Sequence, residues 1–205
     1  MPNQALADDD IDANAFQHYP YLLSQIKAHG YSFVAVGNTF LYPMGLYSRT
    51  VKTLSDLPVG AKIAVPNDPS NEARALLLLQ KAGLIGLKAH VTIDATTHDI
   101  ISNPKHFKIV ALDAAQIPRV LEDVSLAAIN TNYATPAGLS PAKNALYEEK
   151  TDSPYMNLIV ARAADRNETK IKELVVAYQS KPVLLEAKKL FGDTAIAGFM
   201  VKHAS

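Results

Sequence analysis

The chain has 205 residues, 48% hydrophobic and 20% charged, a balance that allows a sizeable core and excludes wholesale disorder. Lys plus Arg and Asp plus Glu number 20 each, so there is no basic excess to track a phosphate backbone, and nucleic acid is not an expected partner. The absence of cysteine excludes disulfides, thiolate metal sites and a Cys nucleophile within this sequence. The apolar run 75–79, which no other exceeds, falls far short of the roughly 20 residues of a membrane-spanning helix. The first ten residues have neither the basic start nor the apolar stretch of a secretory signal. Taken alone, these features read as cytoplasmic.

Short β-rich runs alternate with segments of helical period, the pattern of an α/β fold. Residues 11–16 read as a strand, and the acidic Asp8-Asp9-Asp10 before them as a solvated turn. A helix follows over 20–29, closed by Gly30 at the C′ position. Residues 31–36 make a second strand, interrupted at Gly37-Asn38, and 40–47 an extended segment broken by Pro43 and Gly45. Residues 62–65 are a buried-type strand halted by Pro66. Asp68 then caps a helix with Pro69 in its first turn, running through Leu79 towards Gly83.

The second half repeats this logic. Residues 107–112 form a strand, and Asp113 to Gln116 match a capping box that opens a helix ending near Asp123. Strands follow over 126–129 and 155–161. Ile171, Leu174, Val175 and Tyr178 fall at i, i+3, i+4 and i+7, predicting an amphipathic helix. Pro182 ends it, and a last helix covers 183–191 before Gly192. Weak echoes, 33–38 with 62–67 and 10–14 with 123–130, suit two similar α/β lobes with strand ends converging on a cleft.

Three groups of residues carry potential chemistry. Asn71 and Arg74 lie three apart in the first turn of a helix fed directly by a strand, where free backbone N–H groups favour an anion. Arg74 is either a bidentate partner for a carboxylate or a surface Arg near a cap. Phe16, His18 and Tyr21, at a strand end and helix start, either wall an apolar pocket that suits a thioether or serve as core and turn residues. Asn130, Asn132 and Tyr133 follow a strand and Asn157 sits within another. Such Asn residues either fix an α-amino and α-carboxylate group or satisfy local backbone. His90, His98 and His106 lack the close pairing of a metal site. No GxSxG, Walker loop or GxGxxG is present, so no metal, cofactor or catalytic residue is expected.

Five segments taken together carry a resemblance. They are Asp12-Ala13-Asn14-Ala15-Phe16-Gln17-His18-Tyr19-Pro20-Tyr21-Leu22, Ala35-Val36-Gly37-Asn38-Thr39-Phe40, Pro66-Asn67-Asp68-Pro69-Ser70-Asn71 with Arg74-Ala75-Leu76-Leu77-Leu78-Leu79, Ala127-Ala128-Ile129-Asn130-Thr131, and Ser153-Pro154-Tyr155-Met156-Asn157-Leu158-Ile159-Val160. In this order, within a stretch running from Pro2 to Phe199, the sequence resembles the NlpA lipoprotein family of methionine-binding proteins. The resemblance implies a periplasmic-binding-protein-like fold of type II, with two α/β lobes around a ligand cleft. Lobe A would comprise 1–45 and 156–205, and lobe B 46–155. It implies capture of methionine or a close relative, delivery to the membrane subunits of an ABC importer, and no catalysis. The family's aromatic wall matches Phe16, His18 and Tyr21, its carboxylate-gripping Arg matches Arg74, and its Asn contacts match Asn130, Asn71 and Asn157.

The same resemblance reverses the cytoplasmic reading. Members of the family begin with a lipoprotein signal and a lipid-anchored Cys, followed by a strand, a helix and a second strand. The present sequence starts after these, so lobe A is expected to lack its N-terminal strands, and full-length relatives to sit at the periplasmic or cell surface on a lipid anchor. Two other classes stand beside the leading one: a sensing or catalytic domain on the same fold, with His18 as base, and a truncated non-functional paralogue.

Overall fold

Strand-to-helix turns at residues 18–19 and 66–69 organise the computed structural model of the chain, which describes residues 2–201. The first stretch forms α1 (Pro2–Ala7), β1 (Ala13–His18), α2 (Tyr19–His29), β2 (Phe33–Asn38) and β3 (Phe40–Leu41). The middle forms β4 (Gly45–Tyr47), β5 (Lys62–Pro66), α3 (Pro69–Lys81), β6 (Gly86–Leu87), β7 (Ile100–Ser102), β8 (Lys108–Leu112), β9 (Leu126–Ile129), α4 (Thr131–Ala134), α5 (Pro141–Asn144) and β10 (Tyr147–Glu148). The return adds β11 (Asn157–Arg162), α6 (Thr169–Tyr178), α7 (Lys181–Phe191) and β12 (Ile196–Ala197). The chain divides into unit 1, Met1–Tyr42 with Thr151–Ser205, and unit 2, Pro43–Lys150.

Unit 1 is built on an antiparallel sheet in the order β1-β11-β2, which sets His18 opposite Asn157 and Asn38 opposite Leu158. β1 carries one residue more than β11 between Asn14 and Gln17, a bulge of the kind that re-aims side chains beside binding sites. Leu6 of α1 is fully buried in a cluster with Leu22, Phe33, Leu158 and Val160. The Asn3 and Gln17 carboxamides bond to each other reciprocally at 3.0 and 2.7 Å, so both are buried with their polar atoms satisfied. Arg162 donates to the carbonyls of Leu6 (2.9 Å) and Ile11 (2.7 Å) and pairs with Asp9 at 2.8 Å. The acidic turn is exposed, as expected, and Asp9 also ties it to β11 through this ion pair.

Unit 2 is a five-stranded sheet in the order β10-β4-β9-β5-β8, in which β5 runs parallel to β8 and β9, while β4 and β10 are antiparallel. The central β5 buries Ile63, Ala64 and Val65 completely, as a strand covered on both faces must. Leu76 and Leu79 of α3 share one core with Ile63, Val65 and Leu126.

Three expectations are corrected. The unit boundaries fall at 42/43 and 150/151 rather than at 45/46 and 155/156. Met44 is buried in the unit 2 core, and the Pro43 carbonyl accepts a bond from the Thr131 hydroxyl, so 43–45 belong with unit 2. Tyr155 packs on His18 within unit 1, with ring centres 4.9 Å apart. Next, no helix spans 113–123. Asp113 accepts the N–H of Ala115 (2.9 Å) in a local turn, and Pro118 leaves only a short 3-10 turn at Ile117–Val120. Finally, β2 continues through Gly37-Asn38. A Cβ on Gly37 would lie 3.1 Å from a methyl of Val175, so the glycine admits α6 against the strand instead of ending it.

Candidate functional site

The unit 2 residues gather around the start of α3. Asp68 caps the helix: its carboxylate accepts the backbone N–H of Asn71 at 3.0 Å and the hydroxyl of Ser70 at 2.9 Å. The Asn71 side-chain amide also donates to both Asp68 oxygens, at 3.0 Å each. Its carbonyl accepts from Nδ2 of Asn130, the residue that follows β9 and precedes α4, at 2.7 Å. Two Asn residues 59 positions apart are thus joined. Burial, and after it the negative charge of Asp68, push the Glu72 carboxyl above its ordinary range.

One turn further, Arg74 is buried. Its guanidinium donates through Nε to both oxygens of Glu149, at 3.2 and 3.1 Å, and through Nη2 to Oε2. Glu149 in turn accepts the N–H of Met44 at 3.2 Å. This planar, doubly bonded pair fixes the Arg74 plane. Glu149 was not legible as part of the set: it sits in a Glu-Glu-Lys run that reads as a solvated face, 75 residues from its partner.

Unit 1 assembles the aromatic set. His18 is 4% exposed and caps α2, its Nδ1 accepting the N–H of Tyr21 at 3.1 Å, which puts the ring proton on Nε2. Tyr155 meets the His18 ring edge-on at 4.9 Å, and Tyr21 meets it at 6.2 Å and Phe16 at 6.0 Å. Phe16 itself is 41% exposed, as a core residue is not. Asn157 lies opposite His18 in the sheet, and its carbonyl accepts the N–H of Thr39 at 2.8 Å. Asn132 and Tyr133 sit exposed on α4, outside both sets. Tyr155 joins the aromatic set from within the fifth sequence segment.

The sequence profile of the NlpA lipoproteins matches residues 1–199. The chain belongs to the NlpA lipoprotein family. It is 52% identical over 201 residues to the D-methionine-binding lipoprotein MetQ of Escherichia coli O157:H7, an alignment covering 97% of this chain and 74% of that protein. Among solved structures it is similar to an ABC transporter periplasmic substrate-binding protein of Coxiella burnetii, with 60% identity and a TM-score of 0.94 over 97% of this chain and 83% of the other. It is also similar to a nutrient-binding protein of Burkholderia cenocepacia bound to methionine, with 54% identity and a TM-score of 0.94 over 97% and 84%. As an NlpA lipoprotein relative, the chain has the mixed α/β fold of periplasmic substrate-binding proteins.

Proposed function

We propose that this chain is a solute-binding protein that captures methionine and presents it to an ABC importer at the periplasmic or cell surface, without chemical conversion. The observation that carries the reading is the grouping of the residues above. Unit 2 holds an oriented array of Arg74, Asn71 and Asn130, and unit 1 an aromatic set of Phe16, His18, Tyr21 and Tyr155. Arg74 is matched to the α-carboxylate, the Asn residues to the α-substituents, and the aromatic set with Asn157 to the thioether side chain and its surroundings. The Arg74–Glu149 pair is formally neutral, which suits a zwitterion better than a bare anion.

A binding role over a catalytic one is supported at His18. The nitrogen a general base would use is engaged, since Nδ1 accepts a backbone N–H. The substrate and transport role are supported by relatives named for methionine binding and by a structural neighbour described as an ABC transporter component. Family membership supports a periplasmic or cell-surface location, lipid-anchored as in lipoprotein relatives.

Native mass spectrometry of protein purified without added ligand, followed by calorimetry with L- and D-methionine after stripping, tests the proposal. Co-purification of a methionine mass, or saturable one-to-one binding of either enantiomer, is expected. Lack of binding by both enantiomers overturns it.

A further inference from the structure

The bonds around Asp68 fix more than the start of a helix. A carboxylate is acceptor-only, so the end of the Asn71 carboxamide lying 3.0 Å from both Asp68 oxygens has to be its NH2. Asn71 Oδ1 therefore faces the opposite way. Asn130 meets that oxygen at 2.7 Å, and an amide oxygen also only accepts, so the contacting Asn130 atom has to be Nδ2. The remaining end of the relay is Asn130 Oδ1. It is shielded from solvent and has no hydrogen-bond partner among the described residues. The donor or acceptor sense of each link is dictated by the one before, and the fixed point is the charge on Asp68. A shielded, unpaired carbonyl is costly unless a donor arrives, so the relay holds open an acceptor position of one polarity.

We propose that Asp68 is a positioning residue that sets the polarity of the site. Through Asn71 it makes Asn130 an obligate acceptor, and the group it receives is the α-ammonium of an amino-acid ligand. The assignment rests on the methionine reading above and deepens it. Arg74 supplies donors for the carboxylate, and Asn130 Oδ1 supplies the acceptor that separates an amino acid from a simple carboxylic acid.

The test compares methionine with 4-(methylthio)butanoate, which keeps the carboxylate and thioether but carries hydrogen in place of the ammonium. Asp68→Asn retains a capping side chain, since Asn and Asp are comparable N-caps, but it can offer Asn71 a donor as well as an acceptor and so unlocks the relay. Asn130→Asp sets an acceptor-only carboxylate against Asn71 Oδ1. In the Asp68→Asn background Asn71 is free to turn and donate to that carboxylate. By calorimetry, wild type is expected to prefer methionine, and each single variant to lose about tenfold or more in affinity for methionine with little change for the desamino acid. The double variant is expected to bind methionine more tightly than Asn130→Asp alone.

A role confined to capping predicts no ligand-selective loss. Wild-type affinity for methionine in Asp68→Asn, or equal loss for both ligands, overturns the relay and leaves the methionine reading intact. Wild-type protein that binds no methionine overturns both. Should Asn130→Asp not fold, the two-ligand comparison on Asp68→Asn decides the matter by itself.

Discussion

The guanidinium of Arg74 and the carboxylate of Glu149 form a buried pair, Nε reaching both carboxylate oxygens at 3.2 and 3.1 Å, and the same carboxylate accepts the Met44 N–H. Removing one partner strands a charge in a shielded place, whereas removing both leaves none. Glu149→Ala is therefore expected to destabilise the fold by about 3–5 kcal/mol, and the double variant Arg74→Met with Glu149→Leu by much less. Urea titrations measure this. The double variant is also expected to lose methionine binding while remaining folded. Unchanged affinity by calorimetry would take Arg74 out of the ligand site.

His18 serves two purposes that can be separated. Nδ1 caps α2, and the ring packs against Tyr155. His18→Ala should cost about 1 kcal/mol through the lost cap alone, together with the ring contacts. His18→Asn places an amide oxygen near the position of Nδ1, so it should recover much of the stability but none of the aromatic surface. Thermal melts and methionine titrations on the two variants are expected to part company, with stability largely restored in His18→Asn and affinity not. Parallel recovery of both would show that the ring contributes nothing to ligand binding.

The pH dependence has a defined contribution from Asp99. Its carboxyl is held down to about 2 by the Thr96 hydroxyl at 2.8 Å, then the Thr96 N–H at 3.0 Å, with Lys88 at 3.1 Å adding to both. A folded-state value below the unfolded 3.8 means that the unfolded chain binds more protons between the two, so stability rises with pH across that window. The benefit is fully present above about pH 4 and fades as the pH falls towards 2. The difference in melting temperature between wild type and Asp99→Asn should be constant from pH 7 to 4 and shrink below it. A difference that grows on acidification contradicts this assignment.

What the sequence disclosed follows from how local each cause is. Asp68 with Pro69, and Gly30 after His29, are punctuation within one turn, and α3 and α2 begin and end where these residues dictate. Phe16, His18, Tyr21 and Arg74 could be singled out as candidates because a strand runs straight into a helix at both places, whereas Tyr155, which packs on His18, comes from a distant segment and could not. Glu149, by contrast, acquires its role only when β10 pairs with β4 and brings it beside Arg74 in the first half of α3, a long-range event that spacing does not encode. The union of Asn71 with Asn130 depends likewise on β9 lying beside β5. The helix expected over 113–123 failed for a local reason that was visible: Pro118 outweighs a capping pattern five residues upstream.

On the proposed methionine-binding role, side-chain selectivity is expected to come from Phe16 and Tyr21, whose rings lie edge-to-face 6.0 Å apart, with Phe16 41% exposed. A thioether sulfur is polarisable and gains roughly 0.3–1.5 kcal/mol against an aromatic ring, which a methylene of similar size gains only in part. Norleucine matches methionine in length and in both α-substituents, so the contacts proposed for Arg74 and Asn130 cancel in the comparison. Methionine should then be preferred by about 1 kcal/mol, roughly fivefold in affinity. Phe16→Leu keeps apolar bulk but removes one ring, and should lower methionine affinity while narrowing the gap between the two ligands. Competition calorimetry with norleucine on both proteins measures the gap directly. Equal affinities in the wild type would mean that binding depends on length and apolarity alone, and a gap unchanged in Phe16→Leu would move the sulfur contact away from Phe16.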